Sequence, residues 1–267
     1  MCQFKRAFVF IITMVVSLVV FAAPSFADES SRVLVENSWR FQDGQSITPE
    51  EDSEDAGISA YSLSRLPDGV TAQGIDVSEH QGNINWDAVK ASGVDFAILR
   101  VGFGAPSFGG RTDYQFQRNI SECERLGIPY GIYLYSYAWD DGQAADEAAF
   151  VISNIAGHSP QLPIYYDLED NSIIADGRQG GIASRASVFC NRIINAGYKV
   201  GIYANLNWFN NILTDPVFNS PSWDHWIAQY NYQCDYAGKY SFWQYASDGS
   251  VDGISGSVDM NYAYGAI

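Results

Sequence analysis

The chain reads as an α/β protein, an irregular TIM-like β/α barrel with a strand-rich C-terminal part. Three observations predict this. Apolar, β-branched or aromatic runs recur from residue 73 onward at intervals of roughly 20–35 residues, the size of a βα unit. Amphipathic helical patterns with glycine stops lie between many of them. Beyond residue 215 the long helical patterns cease, so the last quarter is expected to be strands and turns. Alternating β and α segments imply a parallel sheet, and this number of strands implies closure into a barrel.

The strand runs are 73–78, 95–102, 129–138, 162–169, 198–205, 224–230 and 240–246, with a short last strand at Val258-Asp259-Met260. Helices are expected over 113–126 (Phe116, Ile120 and Cys123 on one face, Gly127 as the stop), 141–156 (Ala144, Ala148, Val151, Ile155) and 182–196 (Ala186, Cys190, Ile193, with Gly197 as the stop). Cys123 and Cys190 fall on these apolar stripes and read as buried small hydrophobes. With Cys2 in the leader, Cys123, Cys190 and Cys234 are an odd set. A disulfide involving Cys234 is open but has no assignable partner.

Ahead of this domain are two further segments. Lys5 and Arg6, the apolar stretch Ala7 to Ala23, and small residues at Ser25 and Ala27 form a secretory signal pattern over 1–27, with cleavage expected after Ala27. A retained membrane anchor is the alternative, at the short limit of about 17 residues for a span. Residues 28–71 hold ten acids against Arg32, Arg40 and Arg65, a net charge of −7, with no sustained period. They read as an acidic, weakly ordered arm or linker, with a propeptide or spacer as the functional alternative. The catalytic-type domain is placed at 72–267.

Composition excludes several classes. A formal net charge of −16 without a basic block argues against nucleic acid, whose phosphates need Lys and Arg. Three scattered histidines (His80, His158, His225) exclude a His-rich zinc site. Neither Cys123 nor Cys190 offers the helix-opening Cys beside a His that a thiol peptidase requires.

In a parallel barrel, chemistry collects at the C-terminal strand ends. Asp76 closes the first strand, and Arg100 lies near the end of the second, among the expected substrate-binding residues. The third carries Tyr133, Tyr135 and Tyr137 at spacing two, hence on one face. The fourth ends in Tyr165-Tyr166-Asp167-Leu168-Glu169, so Asp167 and Glu169 share a side. Trp226 and Tyr230 mark the sixth strand, Trp243 and Tyr245 the seventh, and Asp259 the last. Two neighbouring carboxylates repel, which pushes one toward the protonated state a general acid needs. Carboxylates among aromatics, without metal ligands or a basic patch, point to glycoside hydrolysis.

The segments GIDVSEHQG, INWDAVKASGVDFAILRVGFG, GIPYGIYLYSYA, LPIYYDLED, GYKVGIYAN, WIAQY, FWQYAS and VDMN, in this order over about residues 73–263, resemble the family-25 glycoside hydrolases, which are N-acetylmuramidases (lysozymes). The resemblance implies an irregular β/α barrel and four acidic groove positions, Asp76, Asp167, Glu169 and Asp259. It puts the proton donor on Glu169 and the first acid of the pair on Asp167. It also implies a groove lined by Tyr135, Tyr137 and Trp226. The implied partner is the glycan strand of peptidoglycan, outside the cell or at the wall, with no cofactor and no metal. The chain is expected to work as a monomer, off the membrane once the signal is cleaved. Two other readings stay open: a glycan-binding module with a dead site, and a chitinase-like glycosidase on another N-acetylhexosamine polymer. No wall-binding repeats are recognisable.

Residues 72–267 carry a net charge of −11, and many walls hold anionic polymers. Wall lysis is therefore expected to rise with moderate salt, as repulsion is screened over a Debye length of about 8–10 Å. Turbidity assays across a salt series test this, and a steep fall between low and physiological salt would contradict it.

Overall fold

The computed structural model describes residues 67–231 and 233–267, together with a strand pair ahead of them, β1 (Phe41–Gln42) and β2 (Gln45–Ser46). The expected signal, 1–27, and the rest of the acidic arm lie outside the described residues. β1 and β2 pair antiparallel, Phe41 opposite Ser46 and Gln42 opposite Gln45. The sequence reading found no strand in the arm, because two-residue strands are too short to show alternation. The Asp43-Gly44 dipeptide between them is the hairpin signal that was available.

Eight strands close a barrel. They are β3 (Ala72–Val77), β4 (Phe96–Phe103), β6 (Tyr130–Tyr135), β7 (Ile164–Asp167), β8 (Val200–Asn205), β9 (Trp223–Ala228), β10 (Phe242–Gly249) and β11 (Val258–Ala263). A two-residue strand, β5 (Arg111–Thr112), pairs antiparallel with the end of β4. From β3 to β10 each barrel neighbour runs parallel. β11 runs antiparallel to both β10 and β3, and this seam closes the ring. The barrel is thus irregular, as the sequence predicts, and the irregularity sits where the helices run out.

The expected helices are present as α2 (Phe116–Leu126), α3 (Asp141–Asn154) and α4 (Ile182–Asn195). Gly127 ends α2 in the left-handed region, φ 63°, where a side chain would be strained. Two helices escaped the sequence reading, α1 (Trp86–Ala91) and α5 (Leu206–Asn211). Each has six residues, fewer than two turns, so the 3.6 period hardly repeats. Their caps were legible: Asn85 accepts from the Ala88 N–H, and Asn205 from the Trp208 N–H.

Strand alternation sorts the core into two layers. Outward residues such as Ile75, Leu99, Ile132, Ile164 and Ile202 pack under the helices. Inward residues fill the barrel with Phe96, Ile98, Tyr165, Tyr203, Trp226 and Phe242. The Trp226 ring lies 4.4 Å from Tyr203, 5.2 Å from Tyr165 and 5.8 Å from Tyr133 between centroids. Such rings fit because glycines face them. A Cβ on Gly201 would lie 2.5 Å from the Tyr165 ring and 2.8 Å from the Asp224 carbonyl oxygen.

On β10, Gln244 points inward and Trp243 and Tyr245 point outward, so the seventh-strand aromatics leave the groove side. They pack with Tyr262, the Tyr245 and Tyr262 rings stacked at 4.0 Å. Trp243 donates from Nε1 to the Gln229 carbonyl at 2.7 Å. This plaque covers the barrel where long helices are missing. Cys123 and Cys190 are buried and Cys234 is half-buried, all three as free thiols.

Gly201→Ala is expected to destabilise the fold by about 1–3 kcal/mol through overpacking against both Tyr165 and backbone. Urea unfolding measures it, and an unchanged midpoint would mean that the barrel interior relaxes around the methyl group.

Candidate active site

The site begins with a carboxylate that has left water. Asp76 is inward on β3 and 4% exposed. Gln244 Nε2 and Asn261 Nδ2 both donate to its Oδ2, at 2.9 and 2.8 Å. Both amides are held from behind. Asn261 Oδ1 accepts from Trp226 Nε1 at 2.8 Å. Gln244 Oε1 accepts from the Tyr203 and Tyr230 hydroxyls at 2.9 and 3.1 Å. A chain of hydrogen bonds thus runs across β3, β11, β10, β9 and β8.

Asp259 is the cross-strand partner of Asp76 in the β11–β3 seam, and their side chains hydrogen-bond. Contact between two carboxyls requires a proton on one of them. Burial pushes the Asp76 carboxyl up to about 6, against the opposing pull of Asn261, Gln244 and Asp259.

The other two acids stand on the far side of the barrel mouth. Asp167 is the last residue of β7 and is buried. Glu169 lies two residues beyond the strand and is half-buried, within reach of solvent. Two buried tyrosines each feel three of the four acids. The Tyr133 hydroxyl, raised by burial, stands in the field of Arg100 and of Asp76, Asp167 and Asp259. The Tyr203 hydroxyl, also raised by burial, feels Glu169, Asp167 and Asp76. Asp76 and Asp167 act on both hydroxyls, Asp259 on the first and Glu169 on the second.

The expected substrate-binding residues divide. Tyr135 and Tyr137 are half-buried beside the pair, ring centroids 5.1 Å apart. The Tyr135 hydroxyl donates to Asp170 Oδ2 at 3.1 Å, next to Glu169. Trp226 is 1% exposed and sits beneath the carboxylates as part of the barrel filling, so it offers no surface to a glycan. It lies one inward layer below its strand's end, a depth that the position of a strand in the sequence does not reveal. Arg100 is likewise engaged. Its Nε donates to Asp113 Oδ2 at 2.8 Å, its Nη2 lies 3.4 Å from Glu79 Oε1, and its Nη1 donates to His80 Nε2 at 3.3 Å. Although burial pushes Glu79 up, Arg111, the Tyr114 N–H and Arg100 hold it down at about 2.

Sequence reasoning missed Tyr203, Gln244, Asn261 and Glu147. Glu147, on α3, is fully buried. Its Oε2 accepts from the Ser136 and Tyr166 hydroxyls at 2.9 and 2.6 Å, and its Oε1 from the Tyr137 N–H at 2.8 Å. Burial raises its carboxyl to about 7. It fixes the segment that carries the aromatic wall.

A closed β/α barrel with four carboxylates and an aromatic wall at its strand ends has the parts of a glycosidase site. The comparisons agree. Residues 75–254 match the model of "Glycosyl hydrolases family 25", and the chain belongs to that family. The autolytic lysozyme of Clostridium acetobutylicum is 28% identical over 191 residues, 71% of this chain and 55% of that protein. Lysozyme M1 of Streptomyces globisporus is 30% identical over 202 residues, 71% of this chain and 66% of that protein. The chain therefore spans about half to two thirds of these relatives. Among solved structures, the modular autolysin LytC of Streptococcus pneumoniae superposes with a TM-score of 0.65 at 31% identity, over 72% of this chain and 46% of that one. The bacterial lysozyme of Streptomyces coelicolor superposes at 0.63 with 26% identity, over 74% and 94%.

The Asp76 shift has a stability consequence. Its folded-state carboxyl titrates near 6 against 3.8 unfolded, so the native state holds the proton more tightly. The cost of ionising Asp76 in the fold is absent below about pH 4 and complete above about pH 6. Asp76→Asn, which keeps an acceptor oxygen, is expected to raise stability at pH 7.5 by up to about 3 kcal/mol and leave it unchanged at pH 4. Paired urea titrations check this. Equal effects at both pH values would refute it.

Proposed function

We propose that the chain is an exported peptidoglycan hydrolase that works as a monomer. It cuts the β-1,4 bond between N-acetylmuramic acid and N-acetylglucosamine. The observation that carries this reading is the placement of four carboxylates at barrel strand ends: Asp76 and Asp259 paired across the β11–β3 seam, Asp167 closing β7 and Glu169 two residues beyond it. Family membership and the lysozyme relatives support it. LytC, one of the structural neighbours, has been solved with a synthetic peptidoglycan ligand.

In this reading the glycan lies across the strand ends, against Tyr135 and Tyr137. Glu169, the acid nearest solvent in its pair, starts protonated and donates to the glycosidic oxygen as the C1–O bond breaks. Positive charge develops on the muramic acid ring. The substrate's own 2-acetamido oxygen attacks C1, while Asp167 orients the acetamido nitrogen and stabilises its charge. Glu169, now ionised, takes a proton from water, which opens the cyclic intermediate and regenerates the acid. Asp76 and Asp259 supply the surrounding negative field.

Glu169→Gln removes the transferable proton with little change in shape, and cleavage is expected to fall about 10²–10⁴-fold with the fold intact. Asp167→Asn is also expected to cripple turnover. The new muramic acid end should appear first as the β anomer, because two inversions at C1 restore it. Early-time NMR on purified peptidoglycan reads both the sugar and the anomer. Glucosamine at the new reducing end would mean a chitinase-like enzyme, and no product a binding module. An α anomer would mean direct attack by water and would overturn the role of Asp167.

A further inference from the structure

Among the described residues only two aromatic side chains are strongly exposed, Tyr114 and Trp139, and each carries an arginine on its face. Both follow barrel strands on the side of the molecule that holds the carboxylates. They differ in what the arginine does. Arg111, over Tyr114, already grips both Glu79 oxygens, at 2.9 and 2.6 Å. Arg178, over Trp139 at 4.8 Å, does not. Its Nη1 lies 3.4 Å from the Ser172 carbonyl, and its Nη2 lies 3.7 Å from Asp176, a carboxylate whose side chain is 83% exposed. Such a surface pair holds a guanidinium weakly.

The pairing of Trp139 with Arg178 is built. Trp139 lies two residues beyond Tyr137, in the loop that joins β6 to α3. Arg178 lies in the loop that leads from Glu169 to α4. Arg185, on α4 and 3% exposed, reaches both. Its Nη1 donates to the Trp139 and Arg178 carbonyls at 3.3 and 3.2 Å, and its Nη2 to the Ile173 carbonyl at 2.9 Å. A buried cation spent on three carbonyls ties the two loops that flank the catalytic pair. The turn at Asp176 and Gly177, both at positive φ, precedes Arg178 directly. Asp and Gly are residues that accept this conformation.

We infer that Trp139 and Arg178, clamped by Arg185, form an accessory subsite for the carboxylate-bearing peptide stem of the glycan. This rests on the peptidoglycan reading above. Arg178 meets a stem carboxylate through charge-assisted hydrogen bonds, and the Trp139 ring covers the apolar atoms beside it. Charge supports the assignment. The domain is anionic and its strand ends carry Asp76, Asp167, Glu169 and Asp259, so an anionic substituent needs a local cation to approach it.

The test is binding, measured by calorimetry in the Glu169→Gln protein so that turnover does not intervene. The probes are a soluble peptidoglycan tetrasaccharide with its peptide stems and the same glycan after amidase removal of the stems. Adding Arg178→Gln or Trp139→Ala is expected to weaken binding of the peptide-bearing probe about fivefold to tenfold. Binding of the bare glycan should stay within about twofold by the same arithmetic. Trp139 is about half exposed and Arg178 is held only by a weak surface pair, so thermal unfolding should shift little and equally in both variants. Equal losses on the two probes would make the platform a sugar site and overturn the inference, as would no loss on either. If the parent binds neither probe, the peptidoglycan reading itself falls. If it binds both and the substitutions do nothing, only the subsite falls.

Discussion

The structure depends on the way one buried carboxylate is held at the seam that closes the barrel. β11 runs against the direction of its neighbours and joins β10 to β3. Asp76 sits on this seam, receiving one amide from each of the two strands beyond it. A buried carboxylate with an unmet oxygen is costly, so any slip of β11 or β10 would strand it. The register that satisfies Asp76 is also the register that puts Asp259 opposite it. Closure of the barrel and assembly of half the site are one event.

The second half is organised through packing. Asp167 shares its level in the sheet with Tyr135 on one side and Tyr203 on the other. Tyr203 reports to Gln244, and through it to Asp76. On the opposite side, Glu147 holds the backbone of Tyr137 from behind. The acids therefore stand on a floor of aromatic rings and amides whose own positions are fixed. Such preorganisation lets a site stabilise charge without rearranging when it forms.

Much of this was legible in the sequence, for identifiable reasons. Asp76 and Asp167 could be found because a β/α rhythm marks C-terminal strand ends, where chemistry collects, whereas Asp259, at the start of the antiparallel β11, was reached through the family resemblance. Three things were hidden. Depth was hidden: Trp226 and Asp76 lie on inward faces, but only the strand's true end shows that one is filler and the other floor. Face was hidden where β10 breaks register against β11 between Gln244 and Ala246, so Gln244 was passed over between two more conspicuous aromatics. Glu147 was visible but unread. It falls three residues after Ala144 and four before Val151, on the apolar stripe of its helix, where a charged residue signals a buried partner. Partnership was hidden altogether: the sequence says that Arg100 lies near a strand end, not that Asp113 and Glu79 already hold it.

That last engagement bears on how the site would work. A cation beside Asp76 would lower its energy more than two amides do, and Arg100 lies on the adjacent strand. The fold instead commits Arg100 to Asp113 and Glu79. Amides steady a carboxylate without cancelling its charge, whereas a guanidinium would neutralise the field at the barrel mouth. For a reaction whose transition state places positive charge on a sugar ring, the uncancelled field is the useful one. Burial without a neighbouring cation pushes the Asp76 carboxyl up to about 6. A carboxylate raised by burial in this way, at the branch point of a chain of hydrogen bonds, is better explained by chemistry at the barrel mouth than by stability of the barrel.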